Sequence, residues 1–240
     1  MDESQYDAVF WDIGGVLLDL GSVRAGHRAF VGALADEYDL DEEQALDTWR
    51  DELGTHFRER DGNVFRSARA GYERAVAAMV NHEVAEDDWL LAFERATREQ
   101  LEPVSETVET IRALDGRVHQ GIVSDIDTWE AERLLAQFDV VAHLDAVTTS
   151  EEVGHTKPDR AMFATALEKA DVEPARTLMV GDRYENDMVG ASRAGIHTAA
   201  FGGSAADAEP DDPVVDHRID DPRDVLALVG VEAEEWQPDG

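Results

Sequence analysis

At 240 residues the chain has room for one large domain or two small ones and can bury a real core. Its 54 acidic side chains against 21 basic ones leave a formal charge of −33, a surface that repels nucleic acid and anionic membranes, so neither is expected as a partner. Without cysteine there is no disulfide, thiolate nucleophile or thiolate ligand.

The start, Met1-Asp-Glu-Ser, lacks a basic stretch followed by an apolar one, and no apolar run approaches the ~18 residues of a membrane span; a cytoplasmic protein is expected. Ala8–Trp11 is a short apolar run that stops at Asp12 and a Gly14-Gly15 break, as a buried strand does. From about Val23 to Leu101 the period becomes helical. His27, Val31, Leu34, Ala35 and Tyr38 share one face; Leu46, Trp49, Leu53 and Phe57 form a second stripe. Ala68, Tyr72, Ala75, Val76 and Met79 form a third, and Trp89, Phe93 and Ala96 a fourth, before Pro103 closes the block. An all-helical insert over 21–103 is therefore expected.

After it, strand and helix alternate. A helix near Glu106–Leu114 leads to the strand Gly121–Val123, and Asp127 with Glu130 suggests a reciprocal cap on a helix over Thr128–Phe138. A strand over Ala146–Thr149 precedes the turn that holds Lys157, and a helix over Arg160–Ala170 leads to the strand Thr177–Val180. A helix over Met188–Ala194, a strand over His197–Phe201, an acidic loop over Gly202–Pro213, a strand over Val214–Ile219 and a helix over Pro222–Val229 complete the pattern. Such alternation implies an α/β fold: a Rossmann-like parallel sheet with helices on both faces, formed by 1–20 and 104–240. Ligands then bind beyond the carboxyl ends of the strands, where Asp12, Ser124 and Asp182 stand.

Those positions suit phosphoryl transfer. A carboxylate such as Asp12 can attack phosphorus as a covalent nucleophile. The remaining task is positioning and charge neutralisation. Lys157, in Gly154-His-Thr-Lys157-Pro-Asp159, is one of only two lysines, the other being Lys169, and is a compact cation for a phosphate oxygen. Ser124 offers a hydroxyl and nearby N–H groups to an anion. Asp182 and Asp187 share one loop and can join Asp12 as hard oxygen ligands for Mg2+. Singly, each of these residues is ordinarily a turn former, a helix cap or a solvated charge; the informative feature is their joint order, each behind its own strand.

The segments Phe10-Trp-Asp12-Ile-Gly-Gly-Val-Leu17, Ile122-Val-Ser124, Thr148 to Asp159 and Val180-Gly-Asp182-Arg-Tyr-Glu-Asn-Asp187-Met-Val-Gly-Ala191 make the chain resemble the haloacid dehalogenase superfamily over about 1–20 and 104–230. The resemblance implies that the helical insert is a cap domain. It also implies that Asp12 is the nucleophile, that Ser124 and Lys157 hold the phosphoryl group, and that Asp182 and Asp187 hold Mg2+. The substrate implied is a small phosphomonoester. The composition, rich in Asp and Glu with Arg kept and Lys nearly absent, resembles that of salt-adapted haloarchaeal proteins.

One position departs from the family pattern. Its phosphatases carry a second Asp two residues after the nucleophile, as general acid and base; here that residue is Gly14. Gly14 can still give its backbone carbonyl to the metal. Asp125, counted among the substrate-binding candidates, and His27 are candidate replacements for the acid; the plainer expectation is that Asp125 belongs to the helix start and that His27 packs inside the cap. A 2-haloacid dehalogenase also lacks the second Asp but needs no metal, whereas this chain keeps both acids of the Gly181–Asp187 segment. A binding or regulatory protein on a weakened catalytic fold is the third reading. A phosphonate hydrolase would need a cap lysine, and no lysine precedes Lys157.

Overall fold

Four of the sheet's strands are almost free of exposed side chains. β1 (Ala8–Trp11) and β4 (Thr177–Gly181) are buried at every residue, as continuous apolar runs must be when both faces of a parallel sheet are covered. β2 (His119–Ser124) and β5 (His197–Ala200) are buried except at their first residues, His119 and His197. β3 (Ala146–Thr149) and the two-residue β6 (His217–Arg218) form the edges. In this computed structural model, which describes residues 5–231, the six strands lie in the order β3-β2-β1-β4-β5-β6, and each neighbouring pair is parallel. Ala8 pairs with both His119 and Thr177, so β2 and β4 flank β1 in matched register. The order reverses at β1, and the residues after β1, β2 and β4 converge at the switch point.

Helices cover this sheet: α5 (Ser105–Ala113), α6 (Thr128–Gln137), the short α7 (Ser150–Val153), α8 (Arg160–Ala170), α9 (Gly190–Arg193), α10 (Gly203–Ala206) and α11 (Asp224–Leu228). Phe10, Val123, Met162, Phe163, Met179, Ala191 and Ile196 pack into one core cluster. The abundant aspartates have local work here. Asp159 accepts from the Ala161 N–H to cap α8, and Asp171 ends it in the left-handed conformation at φ 52°.

Among the described residues the chain divides into two units, one up to Leu18 and from Pro103 onward, the other Asp19–Glu102. The second unit is built from α1 (Leu20–Tyr38), α2 (Glu42–Arg58), α3 (Ala68–Val80) and α4 (Glu86–Arg98). Asp19, Asp41 and Ser67 cap the first three of these helices through their side chains. Its interior is aromatic: Trp49 stacks on Tyr72 at 5.4 Å, and Phe93 lies 4.6 Å from Tyr72 and 5.2 Å from Phe30. His27 sits among Trp49, Tyr72 and Phe93, and burial depresses its pKa to about 4.

Several local expectations are corrected. α2 turns Ala45, Trp49 and His56 inward and leaves Phe57 exposed, because the His56 ring pairs with the Ser67 carbonyl at 2.8 Å and fills the space beside Gly71. Asp127 occupies the cap position of α6, but the expected reciprocal bond with Glu130 is not made; the Glu151 carboxylate, from α7, accepts the Thr128 N–H at 2.7 Å. The segment Tyr184–Val189 winds as a π-turn before α9, so the helix expected at Met188 begins four residues earlier in a wider coil. The acidic loop after β5 contains α10, and the last strand is only His217–Arg218.

Candidate active site

β1 delivers Asp12 to the carboxyl edge of the sheet with 5 % of its surface exposed. Its Oδ1 accepts the Ile13 N–H at 2.8 Å and lies 3.0 Å from the Lys157 Nζ. Lys157 is itself buried. Its Nζ donates to the Val123 carbonyl at 2.9 Å and stands 2.6 Å from Asp187 Oδ1. Burial opposes the ammonium's charge, but the nearby Asp12, Asp187 and Asp125 carboxylates outweigh it and raise its pKa above the ordinary lysine value.

The loop after β4 supplies the other two acids. Ligand oxygens of Asp12, Asp182 and Asp187 all lie within 4.8 Å of one another, and all three residues are buried. The π-turn makes this spacing. It brings Asp187 back so that its Oδ2 accepts the Arg183 N–H at 2.9 Å. Small residues permit the approach: a Cβ on Gly181 would stand 2.3 Å from the Asp187 Cβ, and one on Gly15, at φ +78°, would stand 2.3 Å from Asp182 Oδ2. Burial, reinforced by Asp12, pushes the Asp182 carboxyl up to about 6; burial also raises Asp187, with Lys157 opposing. With Asp125, four carboxylates thus stand against the Lys157 ammonium and the Arg183 guanidinium, and Asp182 Oδ1 is buried with no hydrogen-bond partner among the described residues. An orphaned hard oxygen in an excess of negative charge fits a divalent cation with oxygen preference.

A family model for haloacid dehalogenase-like hydrolases matches residues 6–195. The chain belongs to this family. Among curated relatives of this hydrolase, a glyceraldehyde 3-phosphate phosphatase of Methanothermobacter thermautotrophicus is 26% identical over 210 residues, 85% of this chain and 89% of the relative. A ribulose-1,5-bisphosphate 5-phosphatase of Halopiger xanaduensis is 30% identical over 146 residues, 58% of this chain and 61% of the relative. Among solved structures, a putative hydrolase of the family from Bacillus subtilis bound to magnesium superposes with a TM-score of 0.68 at 16% identity, over 95% of this chain and all (100%) of that one. The family's fold is therefore present, and the relatives named as phosphatases support a hydrolase of the phosphatase kind.

Within the hydrolase's site, the remaining residues foreseen from sequence fall as follows. Ser124 ends β2 and is buried. Gly14 follows Asp12 in the loop and bridges to Leu18. Asp125 is not part of the helix start, which lies at Thr128. Its Oδ1 accepts the Lys157 N–H at 2.7 Å and its Oδ2 accepts from Asn186 Nδ2 at 3.0 Å. With both oxygens engaged as acceptors, it is poorly suited to act as a proton donor. Two contributors were missed. Asn186 also donates to the Lys157 carbonyl at 3.1 Å, and its only sequence signal is its place beside Asp187. Gly203, at φ +48°, lets α10 close on the loop after β4, where the Ala205 N–H reaches the Asp182 carbonyl at 2.9 Å and any Cβ on Gly203 would stand 2.3 Å from that oxygen.

Proposed function

We propose that this hydrolase is a Mg2+-dependent phosphatase of small phosphomonoesters that forms an aspartyl-phosphate on Asp12. The observation that carries the reading is the buried set of Asp12, Asp182 and Asp187 around the single ammonium of Lys157. Mg2+ would be held by Asp12, Asp182, Asp187 and the Gly14 carbonyl, and would supply charge stabilisation to the phosphoryl oxygens.

Among the described residues the polar contacts to the Asp12 carboxylate fall on Oδ1, which supports Oδ2 as the oxygen that attacks phosphorus. The P–O bond to the leaving group breaks as the Oδ2–P bond forms, and the leaving oxygen departs with the bonding electron pair and takes its proton from solvent. Water then attacks the phosphorus, the Oδ2–P bond breaks, and phosphate leaves with the water's proton released. Lys157 neutralises charge on the transferring group, and Ser124 hydrogen-bonds it. The relatives' names point to phosphorylated sugars and related metabolites as the substrate class. The acidic triad favours this reading over metal-free dehalogenation.

Position 14 sets the leaving-group preference. A positioned acid contributes about 10²–10⁴-fold to departure of an alkoxide. Gly14 has no side chain to supply it, and the Asp125 oxygens are engaged. Aryl phosphates, whose leaving groups need little protonation, are therefore expected to turn over faster than sugar phosphates, with a burst of aryl alcohol. The deciding assay measures phosphate release from both substrate types, and halide release from 2-haloacids, in concentrated KCl with Mg2+ or with EDTA. Full phosphatase activity in EDTA would refute the metal-dependent reading.

A further inference from the structure

Lys157 carries its charge on a four-carbon stem, so its usefulness depends on where its backbone is held. Two side chains from two different strand-end loops hold that backbone. Asp125, after β2, accepts the Lys157 N–H at 2.7 Å. Asn186, after β4, donates to the Lys157 carbonyl at 3.1 Å. The two holders are joined to each other, Asn186 Nδ2 to Asp125 Oδ2, at 3.0 Å, and Arg183 stands 3.6 Å from that same oxygen. The result is a closed ring of polar contacts around the backbone of one residue. It ties the lysine turn to the loop that carries Asp182 and Asp187.

We propose that Asp125 and Asn186 are positioning residues that act through Lys157, fixing its ammonium for the phosphoryl group. The inference rests on the reading of Lys157 as a phosphate-holding cation. Asp125 does not contact the substrate; its carboxylate is spent on the clamp. Asn186 suits its place because its amide can donate to a carboxylate and a carbonyl together, which an aspartate at that position cannot do. Losing a charge-assisted hydrogen bond of this kind, and with it the setting of the ammonium, is expected to weaken phosphate binding about tenfold.

The test is calorimetric titration of inorganic phosphate into the full chain in molar KCl with saturating Mg2+, which needs no turnover. Asp125→Ala and Asn186→Ala should each bind phosphate about tenfold more weakly than the parent. Asp125→Asn keeps the acceptor for the Lys157 N–H and should recover part of the loss. The discriminating arm is the Lys157→Ala background, in which adding Asp125→Ala should change phosphate affinity by less than about twofold, because the cation to be positioned is gone. An equal loss in both backgrounds would show a general structural role and overturn the proposal, as would parental affinity in both Asp125→Ala and Asn186→Ala. If the parent and Lys157→Ala bind phosphate alike, the assignment of Lys157 itself fails, and the clamp's purpose with it.

Discussion

The helical unit buries rings, Phe30, Trp49, Tyr72 and Phe93, whereas the strand ends of the sheet unit bury Asp12, Asp182, Asp187 and Lys157. Both clusters belong to the same strongly acidic chain. In the helical unit even the titratable His27 is held neutral by its aromatic surroundings. At the strand ends charge is concentrated where its desolvation costs several kcal/mol per ion. A folding core has no need of such a cluster, since well-packed apolar residues of similar volume serve stability as well or better. The contrast separates a region arranged for packing from the candidate active site.

Four measurements can break or sharpen that contrast. Asp12→Asn and Asp182→Asn should each reduce phosphate release to background, the first by removing the proposed nucleophile and the second by weakening the proposed cation seat. Purified Asp12→Asn with parental activity would end the assignment. Next in size, Phe93→Ala should destabilise the protein by about 3–5 kcal/mol through the cavity it leaves among the rings. Thermal melts in molar KCl should show a much larger loss for Phe93→Ala than for Asp182→Asn, the reverse of their order in the activity assay. Equal losses would mean that the acidic cluster is structural.

A smaller effect separates the regions by pH. The folded-state pKa of His27 is depressed to about 4 from an ordinary value of 6.5. Between those two pH values the unfolded chain binds the extra proton, so stability falls as pH falls through that window and is fully present above it. The contribution at stake is at most about 3 kcal/mol. His27→Leu should flatten this part of the stability curve relative to the parent. A parallel loss in both proteins on acidification would show that His27 is not the group responsible. Smallest per residue is the effect of salt. At about 1 M salt the Debye length is only ~3 Å, which screens the self-repulsion of a chain carrying −33. The melting temperature should rise along a KCl series, and a flat series would make the acidity incidental to folding.

Much of the fold was legible because it follows from local rules. Continuous apolar runs such as Ala8–Trp11 and Thr177–Val180 marked doubly covered parallel strands, and the periods around Trp49, Tyr72 and Phe93 marked helices. Local rules failed where a distant partner decided the outcome. Phe57 fits the α2 stripe, yet it is His56 that turns inward, drawn by Ser67 eleven positions away. The expected Asp127–Glu130 cap does not form, and the first N–H of α6, that of Thr128, is taken by Glu151, a residue from another helix.

By itself, then, the order of residues determined the strand ends, the helical insert and which polar residues stand behind the strands, because hydrophobic period and strand termination depend on near neighbours. Only the tertiary structure decided how those ends meet. The 4.8 Å grouping of three carboxylates requires a π-turn and glycines that admit no Cβ. The grip of Asp125 and Asn186 on Lys157 joins residues 32 and 29 positions apart along the chain. Such contacts depend on loop geometry at the ends of separate strands, and no local pattern of apolar and polar residues specifies it.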